Sequence, residues 1–285
     1  MDVADLHSYV FESDEKISSR WAYRAGVSLF GALGMALHGF RIEGTQHVPT
    51  KGAALIYGLH TTHNLDVLYF LSSGFRQTRR VVRVLLHQTS HIVSHATKLF
   101  GGVVGSREVA VRLLKEGYLV GVIPGGLEET FLHIDSDRTY EVYWDTFWTG
   151  KPRAGVAAVA LEGGRDVKVL PCFVDGGEEM RWNPFFDLWS LLRLDYAWGK
   201  LTRAVPRPVG NVMHYIALAA WLGFSLVSIP VLGRATGYIG KPLLIKEGET
   251  VEGLAKQMRD ELQLLVDEVR GKNGRARSFS RACGL

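Results

Sequence analysis

Short apolar runs of strand length alternate along this chain with segments of helical spacing, and that alternation constrains the fold more than any other feature. The runs at 53–59, 80–86, 118–123 and 167–174 are rich in Val, Ile and Leu and are bounded by glycine-bearing turns. Helical stretches follow them, opening near Asn64 and covering 90–100, 107–116 and 154–161. Ser106 is placed to cap the helix at 107–116, and Gly117 to end it. Strand and helix in repeated succession give an α/β domain whose central sheet is mixed, partly parallel and flanked by helices. A helix at about 16–39 precedes this unit. An amphipathic helix at 250–270 closes it, with Val251, Leu254, Met258, Leu262 and Leu265 at helical spacing. With 47% hydrophobic residues in 285, a sizeable core is expected.

Composition narrows the setting. Two cysteines, Cys172 and Cys283, give neither a disulfide framework nor zinc-finger spacing and fit a reducing, cytosol-facing environment. The net charge of +4 is modest, and no nucleic-acid-binding module is recognisable. Arg76, Arg79, Arg80 and Arg83 form one basic cluster, open to two readings: a site for lipid headgroups or coenzyme phosphates, or a solvated surface patch.

Two segments suggest contact with lipid. Residues 25–37 carry no charge between Arg24 and Arg41 but are shorter than the roughly 20 apolar residues a span needs. A half-inserted interfacial helix is the preferred expectation, with a buried core helix as the alternative. Residues 208–233 are also free of formal charge and long enough to span. A crossing would separate the flanking parts of one domain, so a lipid-facing insertion is favoured. The expected organisation is a tail and membrane-associating helix at 1–41, an α/β domain at 42–270 containing that lipid-facing segment, and a flexible tail at 271–285.

Chemistry-bearing residues cluster where strands end, the usual place for functional groups in an open α/β sheet. His60 follows the run 53–59, and Asp66 lies just inside the next helix. A carboxylate that holds one imidazole nitrogen leaves the other free as a base. His63 lies three residues before Asp66, a helical pairing distance, so both histidines are open as the base, with His60 preferred. Arg107, at a helix start, can grip a phosphate. Pro124, Gly125 and Gly126 allow a close backbone approach to a ligand, and Glu128 or Glu129 can orient an acceptor hydroxyl or hold the loop. His87, His91 and His95 recur every four residues, but nothing completes a metal motif, so they read as a polar stripe and no metal site is expected. Cys172 reads as a buried small residue.

Taken together, His60-x5-Asp66, Arg107, Ile123-Pro-Gly-Gly126 with Glu129, and Leu170-Pro171 resemble the four motifs of the glycerolipid acyltransferase superfamily over roughly 40–265. The five-residue spacer and the Pro-Gly-Gly-x-x-Glu variant look most like its transmembrane protein 68 branch, linked to diacylglycerol acyltransferases. Arg153-Ala-Gly155 and Gly237-Tyr-Ile-Gly-Lys-Pro242 look similar to that branch as well. The resemblance implies an O-acyltransferase with acyl-CoA as co-substrate, no bound cofactor, and a glycerolipid acceptor: mono- or diacylglycerol, or a lysophospholipid. It implies His60 as general base and Asp66 as its orienting partner, working at a membrane, the endoplasmic reticulum with the catalytic face toward the cytosol. Where the family usually has Phe-Pro-Glu-Gly, this chain lacks the glutamate, which weakens the case for a phosphate-bearing acceptor. The rival reading is a catalytically silent lipid-binding or scaffold protein of the same fold.

Overall fold

The run Ala-Leu-Ile-Tyr-Gly at 54–58 has no side chain that needs water on either face, and it lies in the middle of the sheet with all five residues buried. The structure is a computed structural model that describes residues 10–63, 65–86, 101–134, 139–145, 152–225 and 228–272. In chain order its first elements are α1 (Asp14–Ser19), α2 (Trp21–His38), β1 (Arg41–Glu43), β2 (Ala54–Gly58) and α3 (Leu65–Thr78). Then come β3 (Val82–Leu86), β4 (Gly102–Val104), α4 (Arg107–Lys115), β5 (Leu119–Val122), α5 (Gly126–Ile134) and α6 (Gly155–Gly163). The last are β6 (Lys168–Asp175), β7 (Arg181–Trp182), α7 (Pro184–Leu191), α8 (Leu194–Ala204), α9 (Arg207–Ser225), β8 (Ile229–Pro230), β9 (Thr236–Ile239) and α10 (Val251–Lys272).

The sheet runs β1-β9-β6-β2-β5-β3-β4. Neighbours pair in parallel except β6 with β9, which are antiparallel. The expected mixed, partly parallel sheet is therefore present. Alternation along β2 sorts its side chains between two layers. Leu55 and Tyr57 join the core beneath α4, α6 and α10, where Leu113, Ala160, Leu254, Met258 and Leu262 are buried. Ala54 and Ile56 face the other core, with Phe40, Tyr69 and Phe70. Tyr57 also donates from its hydroxyl to the Met258 carbonyl at 3.0 Å, tying the central strand to α10.

Several expectations need correcting in detail. The single helix expected at 16–39 is two, because Arg20 takes an extended conformation between α1 and α2. The glycines of the 25–37 segment serve helix packing: a β-carbon at Gly34 would lie 3.0 Å from Tyr69 Cγ, and one at Gly31 would lie 3.1 Å from Arg76 Nη1. One face of α2 is thus held against α3, while Trp21, Leu29 and Met35 on the other are exposed. The 208–233 segment is not continuous helix either. It supplies most of α9 and then the short strand β8, which pairs with β7. No described helix is long and apolar enough to cross a membrane.

Two members of the arginine cluster, Arg80 and Arg83, depart from both readings offered for it, while Arg76 and Arg79 are exposed. Arg83 is fully buried and paired with Asp14 at 3.1 Å. Arg80 directs its guanidinium to the carbonyls of Pro49, Gly52 and Gly117, which precede β2 and β5. These two arginines clamp the edge of the sheet where strands begin, leaving the opposite edge for function. The helix expected at 90–100 and the stripe of His87, His91 and His95 lie outside the described residues. Ser106 caps α4 as expected, its Oγ accepting from Val109 N at 3.2 Å.

Candidate active site

Strand register assembles the site. Tyr57 pairs with Val122 on one side and with Pro171 on the other. Three residues beyond each lie His60, Gly125 and Val174, so three separate segments reach the same carboxyl edge of the sheet. The turn after β6 adds Glu178, and α5 brings Glu129, Thr130 and His133 to the same place.

His60 is held at its main chain and at its ring. Its N–H donates to Glu129 Oε2 at 2.8 Å, and its carbonyl lies 2.8 Å from His133 Nδ1. Its ring Nδ1 lies 2.7 Å from the Thr61 carbonyl and 2.9 Å from Thr130 Oγ1. A carbonyl only accepts, so these partners assign the proton to Nδ1 and leave the Nε2 lone pair unprotonated. Burial pushes the His60 pKa down to about 4, opposed by the Thr61 carbonyl, so the ring is neutral at pH 7.

His63 is built the other way round. Its Nδ1 accepts from Leu65 N at 3.3 Å, which puts its proton on Nε2. Among the described residues that buried Nε2 has no partner in hydrogen-bond geometry. Burial lowers its pKa to about 4, with Glu178 and the nearby Gly177 carbonyl acting in the opposite sense.

Asp66 sits in the first turn of α3, fully enclosed, and its Oδ1 accepts from Thr61 Oγ1 at 2.6 Å. The carboxylate expected to hold His60 thus reaches it through Thr61, whose carbonyl meets the imidazole. Burial raises the Asp66 pKa to about 7, partly offset by the Thr61 hydrogen bond.

The Pro124-Gly125-Gly126 turn follows β5 and opens α5. Arg153 Nη1 donates to the carbonyls of Pro124 and Gly125 at 3.1 and 3.0 Å, giving the Arg153-Ala-Gly155 segment a place beside the site. Gly126 has φ +58°, the left-handed conformation that glycine adopts without steric cost. A β-carbon on Gly125 would fall 2.3 Å from Glu129 Cδ, so only glycine leaves room for that carboxylate. Glu129 is completely buried. It accepts from His60 N and, through Oε1, from Tyr143 N at 2.9 Å. Burial lifts its pKa to about 7, against the charge of His133. Glu129 therefore holds the loop, one of its two expected roles. Glu128 is on α5 too, but its side chain is outside those described.

His133, Glu178 and Thr130 were not singled out in the sequence. Glu178 accepts from Thr62 N at 3.0 Å and from Thr62 Oγ1 at 2.6 Å, and its Oε1 lies 3.5 Å from His133 Nδ1. Burial by itself would lower His133, yet the Glu178 contact and charge raise it to about 9. Burial would likewise raise Glu178, and His133 carries it below its ordinary value. The two form a buried imidazolium–carboxylate pair.

Arg107 is placed differently from the rest. It starts α4 as expected, but its exposed guanidinium is paired with Glu162 on α6. Cys172 lies on β6 against Gly58, with its thiol pKa raised by burial, in keeping with a packing role. Among the described residues no group of three or more His, Cys, Asp or Glu side chains could hold a metal ion.

The fold and site are similar to those of acyltransferases. Residues 39–175 match the family model described as Acyltransferase. The chain is 27% identical over 237 residues to a Bos taurus protein named "DGAT1/2-independent enzyme synthesizing storage lipids", covering 81% of this chain and 60% of that one. It is 28% identical over 247 residues to the Mus musculus protein of the same name, covering 85% and 64% respectively. The chain thus spans less than two thirds of the length of these curated relatives. In fold it is similar to the 1-acyl-sn-glycerophosphate acyltransferase PlsC from Thermotoga maritima. The TM-score is 0.53 at 14% identity, over 93% of this chain and 87% of that one, a likeness of fold alone.

Proposed function

We propose that this chain is an acyl-CoA-dependent O-acyltransferase that esterifies a glycerolipid hydroxyl, with His60 as general base. The observation that carries the reading is the state of the His60 ring: Nδ1 is committed to the Thr61 carbonyl, so a neutral imidazole presents its Nε2 lone pair. His63 lacks that arrangement, since its lone pair at Nδ1 is taken by Leu65 N. In the reaction His60 Nε2 removes the hydroxyl proton as the oxygen attacks the thioester carbonyl carbon. The tetrahedral adduct collapses with cleavage of the C–S bond, and the coenzyme A sulfur leaves with the proton held by His60. Backbone N–H groups at the start of α5, beside Gly126, are candidates for the developing oxyanion.

The acceptor favoured is mono- or diacylglycerol ahead of a lysophospholipid. Arg107, the expected phosphate ligand, is engaged by Glu162, and the curated relatives are named for storage-lipid synthesis. Apolar side chains left in solvent fit a protein that takes such substrates from a membrane. They occur on α2 (Trp21, Met35), on α7 (Leu188, Leu191) and on α9 (Val212, Ile216). The cytosolic face of the endoplasmic reticulum is the setting that the resemblance to glycerolipid acyltransferases implies. Turnover of labelled acyl-CoA by purified protein in lipid micelles tests the proposal, with monoacylglycerol, diacylglycerol and lysophosphatidate as acceptors. Ester product from a neutral acylglycerol is expected. Bound lipid with no product from any acceptor would favour a silent lipid-binding protein.

A further inference from the structure

Three main-chain groups around His60 end on buried ionisable side chains. The His60 N–H ends on Glu129, the His60 carbonyl on His133 and the Thr62 N–H on Glu178. The last of these matters most for the ring. The Thr61 carbonyl and the Thr62 N–H belong to one planar trans peptide unit and point in opposite directions. On one side that carbonyl faces His60 Nδ1 at 2.7 Å. On the other the N–H donates to Glu178 Oε1 at 3.0 Å. Rotating the plane would break both contacts at once. Glu178 takes a second grip through Thr62 Oγ1 at 2.6 Å, and a β-carbon at Gly177 would lie 3.1 Å from Thr61 Cγ2, so the turn packs directly on this loop.

We propose that Glu178 and His133 are positioning residues for His60, acting through the Thr61–Thr62 peptide plane. In this arrangement a backbone carbonyl does what a carboxylate does in a Ser-His-Asp triad, fixing the tautomer and direction of the imidazole. Glu178 sets that carbonyl. His133 balances the Glu178 charge and also donates to the His60 carbonyl, which holds the peptide unit on the other side of Thr61. Its second nitrogen lies 2.9 Å from the Glu141 carbonyl, so both ring N–H groups have acceptors and the cationic form is fully satisfied. The side chains come from the turn after β6 and from α5, so the loop is fixed from two elements.

The inference rests on His60 as base only for its catalytic consequence, and the placing of the ring can be measured without turnover. The test uses full-length protein labelled with ¹⁵N-histidine, as wild type, Glu178→Ala, Glu178→Gln and His133→Gln. His60→Gln identifies the His60 resonances. Wild-type His60 should show a protonated Nδ1 and an unprotonated Nε2 at pH 7. Glu178→Ala should move both nitrogens toward a tautomer average. Acyl transfer, where it is detected, should fall by about 10- to 100-fold in kcat with little change in KM, a fraction of the roughly 10²–10⁴ attributable to a general base. Glu178→Gln, able to accept from only one Thr62 group at a time, should lie between wild type and alanine. If Glu178→Ala does not fold, Glu178→Gln and His133→Gln decide by the same spectra. An unchanged His60 tautomer in folded Glu178 and His133 variants would overturn the inference. Altered tautomers with no acyl transfer even in wild type would leave it standing and remove the proposed function instead.

Discussion

At the scale of single residues, the decisive atoms are the ring nitrogens of His60 and His63, which differ in what each Nδ1 is bonded to. His60 spends Nδ1 on a carbonyl and His63 spends Nδ1 on an N–H, so the same side chain becomes an acceptor at Nε2 in one case and a donor in the other. His60, Asp66 and the Pro124-Gly125-Gly126 turn were legible in the sequence because each is a local pattern at a strand end. His133 and Glu178 were not. They meet the His60 loop across separations of 73 and 116 residues, and a lone histidine late in a helix carries no local signature. One hint for Glu178 was its place just past an apolar strand, where acidic residues in parallel sheets are often functional. The predicted pairing of Asp66 with His60 resolves into a chain through Thr61, a geometry that a one-dimensional spacing cannot express. Gly125 offers a sharp test at this scale. Gly125→Ala places a methyl on top of Glu129, so the carboxylate must leave the His60 N–H. A loss of about 1–3 kcal/mol in denaturant unfolding is expected, as for overpacking elsewhere, together with reduced acyl transfer. Wild-type stability in that variant would mean Glu129 is not held as described.

Among elements, α2 shows how one sequence can serve two environments. Its charge-free stretch reads as a lipid-seeking helix, and its glycines read as a close-packing face. The structure gives each property its own side of the helix. Gly34→Leu should push α2 off Tyr69 and Phe40 and cost about 1–3 kcal/mol. Met35→Glu, on the exposed side, should leave unfolding unchanged while weakening co-sedimentation with liposomes several-fold. Equal liposome binding by both proteins would remove α2 from the membrane surface. β2, β3, β5 and β6 were legible from their apolar runs, whereas β4, three residues long, was not. β9 was not, because Thr-Gly-Tyr-Ile is short and glycine-containing, and only its place between β1 and β6 makes it a strand. The segment 208–233 misled as one unit because hydropathy does not register that α9 ends at Ser225 and β8 begins at Ile229.

For the whole molecule, the buried ionisable cluster makes stability depend on pH in a predictable direction. His133 has its pKa raised from an ordinary 6.5 to about 9. Its contribution is therefore fully present below pH 6.5 and is lost as pH rises through 9. On the acid side the effects oppose one another. His60 and His63, both lowered to about 4, cost stability as pH falls from 6.5. Asp66 and Glu129, both raised to about 7, add stability as pH falls through the same range. In the alkaline window the His133 loss is the largest, joined by smaller losses in the same direction from Asp66 and Glu129 near pH 7 and from the raised Cys172 thiol near pH 9. Unfolding free energy should drop by on the order of 3 kcal/mol between pH 6.5 and 9.5 in wild type, at 1.36 kcal/mol per pKa unit. The drop should be smaller in His133→Gln, which keeps only the contributions of the other groups. A wild-type profile flat over that window would show that His133 is not a buried cation.

The most direct test of the central claim is a single comparison of acyl transfer from labelled acyl-CoA to mono- or diacylglycerol by wild type, His60→Ala and His63→Ala. The account predicts ester product from wild type, a rate lower by about 10²–10⁴ in His60→Ala, and substantial activity kept by His63→Ala. Full activity in His60→Ala, or its loss in His63→Ala alone, would contradict it.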